Sequence, residues 1–176
     1  MPGPSSPLSG GRSAVFEPTP RIRDGIGPAI GYDAAMWQVL LLALLVVPMM
    51  VHGEVLTPDE ARTMAERGEL TIVDIRLPVE WERTGLPVGA LAISLQDQTL
   101  QPRAEFVADV LEALANDPTK PIALICASGH RSAYAQQVLT ASGFTEVHDI
   151  SEGMVGGEYG PGWLARTLPT EPCTLC

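Results

Sequence analysis

Residues 121–139 read PIALICASGHRSAYAQQVL, and in them an apolar run passes through a short loop into a helical pattern. The run from Pro121 to Cys126 is the most apolar of the short runs after residue 54 and predicts a buried strand. A helix is predicted to begin at Ser132 and to continue through Leu139. The sequence therefore predicts that Cys126 lies at the carboxyl end of a strand, where open α/β sheets bind their ligands.

Strand and helix patterns alternate around this unit. Thr57, Pro58 and Glu60 form a capping box that opens a helix expected to stop at Gly68. Further helices are predicted from 78 to 83 and from Pro102 onward, and further strands at 71–75, 90–95 and 146–150. This alternation predicts an α/β domain with a parallel sheet that helices cover on both faces.

The overall charge argues against one broad class of function. The 176 residues include 11 Lys and Arg against 21 Asp and Glu, which gives a formal net charge of −10. Such a chain lacks the basic field that holds a phosphate backbone, so we do not expect it to bind nucleic acid. Its three cysteines are too few and too scattered for a disulfide-stapled scaffold.

The first 53 residues differ in composition from the rest. Residues 1–35 are rich in Pro, Gly and Ser and are expected to be disordered or absent from the mature protein. Residues 36–53 contain an apolar run that is short for a membrane span, which needs about 20 apolar residues. The run is typical of a secretory signal cut near Glu54, with translation starting at Met36; an uncleaved anchor or a buried helix is the alternative. An exported protein of the periplasm or cell envelope is thus expected, and a cytoplasmic one is the alternative.

The loop CASGHRS, residues 126–132, carries the chemistry. Gly129 permits a tight turn, after which backbone N–H groups of the loop and of the helix N-terminus are expected to point at the Cys126 sulfur. Such donors favour a thiolate and hold an anionic substrate, and Arg131 adds a permanent cation. A nucleophile beside an anion site suits sulfur transfer from an anionic donor.

The spacing within this loop separates two reactions. Four residues stand between Cys126 and Arg131. Tyrosine-type phosphatases and the related arsenate reductases place five residues there, so that their wider loop encircles a tetrahedral oxyanion. The shorter loop favours a terminal sulfur, and phosphatase or arsenate reductase activity is the disfavoured alternative.

Several motifs, taken in order, resemble the rhodanese family of sulfurtransferases over residues 54–168. They are Asp74-Ile75-Arg76 with Glu80-Trp81, GLPVGALAI from Gly85 to Ile93, CASGHRS, Gly143-Phe144 through Val147, and Glu152-Gly153-Met154 with Trp163. Leu86 and Leu91 depart mildly from the family pattern. The resemblance implies a three-layer domain with a mostly parallel five-stranded sheet, and a relay in which Cys126 carries sulfur as a persulfide. It implies neither a metal nor an organic cofactor.

Roles for the site residues follow from the loop and from this resemblance. Cys126 is the expected nucleophile, and Asp74 and Arg76 are expected to brace the loop, unless they form only a cap and an ion pair. His130 is expected either to line the pocket or to face solvent, and Ser132 to cap the helix with its hydroxyl towards the pocket. The expected substrate-binding residues are Ala127, Ser128, Gly129, His130, Arg131 and Ser132.

Two further expectations concern the chain end and the partners. Residues 169–176 are expected to form a tail in which Cys173 and Cys176 are flexible, form a disulfide, or resolve the Cys126 persulfide. The expected partners are a small anionic sulfur donor and a thiol or cyanide-like acceptor, with membrane contact only through an uncleaved N-terminal segment. The oligomeric state does not follow from the sequence. A sulfur carrier or protein-binding module without turnover is the alternative to an enzyme.

Overall fold

The computed structural model describes residues 53–174. The predictions made for residues 1–35, for the apolar segment up to residue 52 and for Cys176 lie outside the described residues. Within 53–174, every helix is too short or too polar to cross a membrane.

A parallel sheet forms the centre of the domain. Its strands are β1 (Thr71–Asp74), β3 (Leu91–Ala92), β4 (Ile122–Ile125) and β5 (Val147–Asp149), in the order β3-β1-β4-β5. Val55 adds a parallel bridge to Asp149 beyond β5, which gives the sheet a fifth position. The prediction of a mostly parallel sheet is confirmed, and the expected count of five strands is close. A second, two-stranded sheet pairs β2 (Leu86–Pro87) with β6 (Thr170–Glu171), so the ordered chain continues past residue 168.

Helices cover both faces of the central sheet, as predicted. They are α1 (Pro58–Glu66), α2 (Pro78–Thr84), α3 (Phe106–Ala113), α4 (His130–Ala141) and α5 (Gly162–Ala165). Alternate strand residues point to opposite faces, so Leu124 packs with residues of α3 and α4, whereas Ile125 packs with residues of α1 and α5. Every residue of β4 is buried, which explains its wholly apolar sequence.

The start of α1 follows the predicted capping box. Thr57 Oγ1 accepts a hydrogen bond from the Glu60 backbone N–H at 3.3 Å, and Glu60 Oε2 accepts one from the Thr57 N–H at 2.8 Å. The helix ends at Glu66, one residue before its C-cap and two before Gly68, whose φ is +70°. Both ends of this helix are therefore encoded locally.

Two predicted helix starts are wrong. The helix expected to open at Pro102 begins at Phe106, because Pro102 forms an antiparallel bridge with Gln96 and the Arg103 N–H donates to the Leu95 carbonyl. The helix expected to open at Ser132 begins at His130. Tertiary contacts at Pro102 and a glycine cap before His130 outweigh the local signals.

Candidate active site

Cys126 is fixed at the carboxyl end of the sheet by the strand before it and the turn after it. It follows the buried strand β4 directly and is 1% exposed. The chain then turns through Gly129, which caps α4 with a φ of +93°. A Cβ atom on Gly129 would lie 2.0 Å from the Ser151 carbonyl oxygen, so both the conformation and the space require glycine.

Two neutral hydrogen-bonding groups surround the sulfur. The Gly129 backbone N–H donates to Cys126 Sγ at 3.1 Å. Ser132 Oγ lies 3.5 Å from the same sulfur and also donates to the Gly129 carbonyl at 2.9 Å. Ser132 is thus not the helix cap that the sequence suggested, but its hydroxyl does face the sulfur. A thiolate at this position gains the backbone donor. The Ser132 hydroxyl becomes a second donor only when its single hydrogen turns from the Gly129 carbonyl to the sulfur.

The glycine-rich segment 151–157 forms the wall behind the loop. The Met154 N–H donates to the Cys126 carbonyl at 2.8 Å, and the Val155 N–H donates to the Ala127 carbonyl at 2.9 Å. A Cβ atom on Gly153 would lie 2.4 Å from the Ala127 oxygen. In the sequence, the motif around Gly153 indicates only a family resemblance, and the structure shows that this segment holds the backbone of the cysteine loop.

Arg131 is bound to a carboxylate that sequence reasoning did not assign to the site. Its guanidinium donates to both carboxylate oxygens of Glu80, at 2.8 and 2.9 Å. Burial is the largest single influence and opposes the charge of each group. The hydrogen bonds and the nearby opposite charges together outweigh it, so the pKa of Glu80 is lowered and the pKa of Arg131 is raised. The charge of Cys126 also contributes to the raised pKa of Arg131, which places this cation within electrostatic reach of the sulfur.

Asp74 and Arg76 form a buried ion pair that braces α2. Arg76 Nη2 donates to Asp74 Oδ2 at 2.6 Å, and both side chains are at most 1% exposed. The same guanidinium donates to Thr84 Oγ1 at 2.8 Å and to the Gly85 carbonyl at 2.7 Å. The hydrogen bonds of Arg76 go to β1, to α2 and to the Gly85 cap that follows α2, so the pair braces the helix that carries Glu80.

The mouth of the site carries an imidazole and a phenol. His130 is exposed, its ring centroid lies 6.0 Å from that of Tyr159, and its Nδ1 lies 3.4 Å from Ser128 Oγ. Tyr159 is 52% exposed, and a hydrogen bond with Glu158 raises its pKa. Tyr159 lies outside every motif that the sequence offered, because only the fold of the 151–160 segment brings it to His130.

A cleft beside α2 and α3 is separate from the sulfur. It has a volume of about 730 Å³ and is lined by residues of α2, α3 and the segment after β3, including Trp81, Ser94 and Arg103. None of residues 126–132 lines it. Cys126 and its loop are therefore not part of this cleft.

The described cysteines are in different chemical states. Cys126 is a free thiol, whereas Cys173 is disulfide-bonded. The two are therefore not joined to each other. The prediction that Cys173 and Cys176 resolve the Cys126 persulfide stays a prediction, because Cys176 lies outside the described residues.

Comparisons with known proteins agree with this geometry. The profile of the rhodanese-like domain matches residues 57–158. An uncharacterized protein of Rickettsia rickettsii is 28% identical over 98 residues, which cover 56% of this chain and 80% of that protein. A thiosulfate sulfurtransferase of Pseudomonas aeruginosa superposes with a TM-score of 0.52 at 28% identity over 69% of this chain and 20% of its own. The homodimeric polysulfide-sulfur transferase of Wolinella succinogenes has a TM-score of 0.51 at 22% identity over 80% of this chain and 90% of its own.

Proposed function

Because this chain belongs to the rhodanese-like domain family, we propose that it is a sulfurtransferase that carries sulfane sulfur as a persulfide on Cys126. The observation that supports the proposal most directly is the hydrogen bond from the Gly129 N–H to Cys126 Sγ at 3.1 Å. This hydrogen bond directs a backbone donor at the sulfur atom that would carry the transferred sulfur. The reaction needs a sulfur anion, and this donor is already aimed at it.

The transfer takes place in two displacements. The Cys126 thiolate attacks the sulfane sulfur of the donor, so a new S–S bond forms and the old one breaks. The leaving electron pair departs with sulfite if the donor is thiosulfate, or with a shorter sulfur chain if the donor is a polysulfide. A thiolate or cyanide acceptor then attacks the outer sulfur, and Cys126 leaves as a thiolate. Gly129 and Ser132 stabilise the cysteine sulfur anion at both ends of the cycle.

The ion pair at Arg131 favours one class of donor. Because Arg131 is held by both oxygens of Glu80, a thiosulfate dianion must compete with that carboxylate for the guanidinium. A persulfide or polysulfide has no such oxygens and needs only the donors at the sulfur. We therefore infer that sulfane donors without sulfonate oxygens load Cys126 more readily than thiosulfate does.

One observation favours the second candidate, a carrier or binding module without turnover. Cys126 is only 1% exposed. A small acceptor such as cyanide reaches a buried persulfide more easily than a bulky thiol does, so transfer to a large acceptor requires the loop to open. A chain that takes up sulfur and retains the persulfide, with negligible transfer to an acceptor, would match this candidate.

The mass of the intact full-length chain tests the proposal. The reduced protein is incubated with polysulfide or thiosulfate, desalted and weighed, beside Cys126→Ala and Cys173→Ser controls. A gain of one sulfur atom in wild type and Cys173→Ser but not in Cys126→Ala, removed by cyanide with formation of thiocyanate, is the expected result. If no donor adds sulfur at Cys126, the proposed function is wrong.

A further inference from the structure

Residues 53–56, here called the edge segment, are bound along the outer side of β5. Val55 forms a parallel bridge with Asp149. The Asp149 N–H donates to the Glu54 carbonyl at 3.0 Å, and the Leu56 N–H donates to the Asp149 carbonyl at 2.8 Å. The edge segment therefore borders the strand that leads into the glycine-rich wall of the site.

One hydrogen bond of the edge segment goes to an imidazole instead of a backbone carbonyl. A regular parallel ladder would pair the Glu54 N–H with the Val147 carbonyl. That carbonyl accepts a hydrogen bond from Gln136 Nε2 at 2.7 Å. The Glu54 N–H donates to His148 Nδ1 at 3.1 Å. A titratable ring nitrogen thus takes the place of an acceptor that would not respond to pH.

This contact depends on the protonation state of the imidazole. A ring nitrogen that accepts a hydrogen bond carries no proton, so the neutral ring of His148 has its hydrogen on Nε2. Protonation would place a second hydrogen on Nδ1, where it would face the hydrogen of the Glu54 N–H. Two donors cannot form a hydrogen bond with each other, so the protonated ring cannot hold this amide.

One carboxylate is placed to stabilise the protonated ring. Glu146 Oε1, on the residue before β5, lies 3.5 Å from His148 Nε2. Among the described residues, it is the only carboxylate within 4 Å of a nitrogen of this ring. β4 carries no charged residue. The charged groups on the other neighbouring elements lie farther away or are already paired, and they are Glu54 of the edge segment, Asp149 of β5, Asp59 of α1 and Arg131 of α4.

We propose that His148 is a pH-sensitive latch for the edge segment: the neutral ring binds the Glu54 N–H, and the protonated ring releases it and pairs with Glu146. Imidazole side chains change their charge between about pH 5 and 8, so mild acidification opens the latch. The edge segment then keeps its backbone bonds to Asp149 alone and leaves β5 more often. The inference goes beyond the proposed function and does not depend on it, because no step involves sulfur.

Hydrogen exchange of the full-length chain, measured residue by residue by NMR, tests the proposal. The readout is the protection factor of the Glu54 and Leu56 amides, which corrects for the pH dependence of exchange itself. Between about pH 7.5 and about pH 5, this protection is expected to fall about tenfold, the effect of one lost hydrogen bond, while β1 and β4 stay protected. The nitrogen chemical shifts of the His148 ring should show Nδ1 without a proton at the upper pH.

Three variants separate the latch from other effects of pH. His148→Asn keeps an acceptor near the position of Nδ1 but does not titrate, so protection should stay high at both pH values. His148→Ala should leave the edge segment weakly protected at both. Glu146→Gln removes the carboxylate that stabilises the protonated ring, so the latch should open at lower pH. His130→Asn is the matched control, the same change at another described histidine, and should behave as the wild type.

Three results would overturn the proposal. They are a wild-type protection that does not change with pH, a pH dependence that survives in His148→Asn, and an equal loss of protection throughout the central sheet. The second result would assign the effect to the Asp149 carboxyl, whose pKa is raised by burial, and the third to unfolding of the whole domain. If His148→Asn does not fold, an unchanged midpoint in Glu146→Gln overturns the proposal instead. No sulfur donor is present, so a failure of sulfur loading refutes the proposed function alone.

Discussion

Replacing Glu80 with Gln is expected to improve thiosulfate as a sulfur donor. The substitution removes the charge that binds Arg131 while it keeps the shape of the side chain and an oxygen for the Leu77 N–H, which Glu80 Oε2 accepts at 2.9 Å. The Arg131 and Glu80 side chains are 23% and 26% exposed, so the pair is partly buried. A surface ion pair contributes about 0–1 kcal/mol, whereas breaking a buried pair costs about 3–5 kcal/mol, and we expect a value between these two. We expect removal of this ion pair to favour thiosulfate binding by about 1.4 kcal/mol. This free energy corresponds to a tenfold lower thiosulfate concentration at half-maximal loading.

The assay is the rate of Cys126 persulfide formation against thiosulfate concentration, with polysulfide as the second donor. Glu112→Gln is the matched control, because it removes a carboxylate of α3 outside the cysteine loop. It should leave the loading rate unchanged with either donor. The pKa of Glu80 is lowered, so its ion pair is present at neutral pH and is lost as the pH falls through the folded-state pKa. The advantage of the variant should therefore vanish at acid pH. An unchanged thiosulfate dependence at neutral pH, or an equal gain with polysulfide, would refute the reasoning.

Three other substitutions test the scaffold. The measurements are the free energy of unfolding by denaturant and the amount of sulfur loaded on Cys126. Arg76→Leu leaves Asp74 as a buried, unpaired charge and is expected to lower the free energy of unfolding by about 3–5 kcal/mol; retention of wild-type stability would contradict the bracing role. Gly129→Ala meets both a φ of +93° and the Ser151 oxygen, so sulfur loading should be lost even where the protein still folds. Thr57→Ala removes the cap of α1 and should cost about 1 kcal/mol while sulfur loading stays at the wild-type level.

The parts of the fold that the sequence predicts are those whose interactions are local. The capping box joins Thr57 to Glu60, three residues away, and the strand before Cys126 shows in four successive apolar residues. The position of Cys126 at the end of that strand follows from the same short stretch. Such contacts need no knowledge of the rest of the chain, because each is made by neighbours in sequence.

The parts that the sequence does not predict depend on long-range contacts. Glu80 and Arg131 are 51 residues apart, and the sequence around either residue does not indicate that they form an ion pair. Serine favours the N-cap, so the sequence predicts that Ser132 caps the helix. Gly129 in its left-handed conformation is the cap instead, and the helix begins at His130, two residues before Ser132. Pro102 has the residue type for a helix start, but its bridge to Gln96 keeps that segment extended.

Under the proposed function, the charge arrangement of the site makes donor choice and sulfur stabilisation separate properties. Arg131 and Arg76 each carry a carboxylate partner, so neither offers a free cation to the sulfur. The groups in contact with Cys126 Sγ are the Gly129 N–H and the Ser132 hydroxyl, both neutral. Neutral donors stabilise the single charge of a thiolate or persulfide without adding affinity for the sulfonate oxygens of thiosulfate. In the proposed reaction, affinity for those oxygens comes from Arg131, and the ion pair with Glu80 of α2 weakens that affinity.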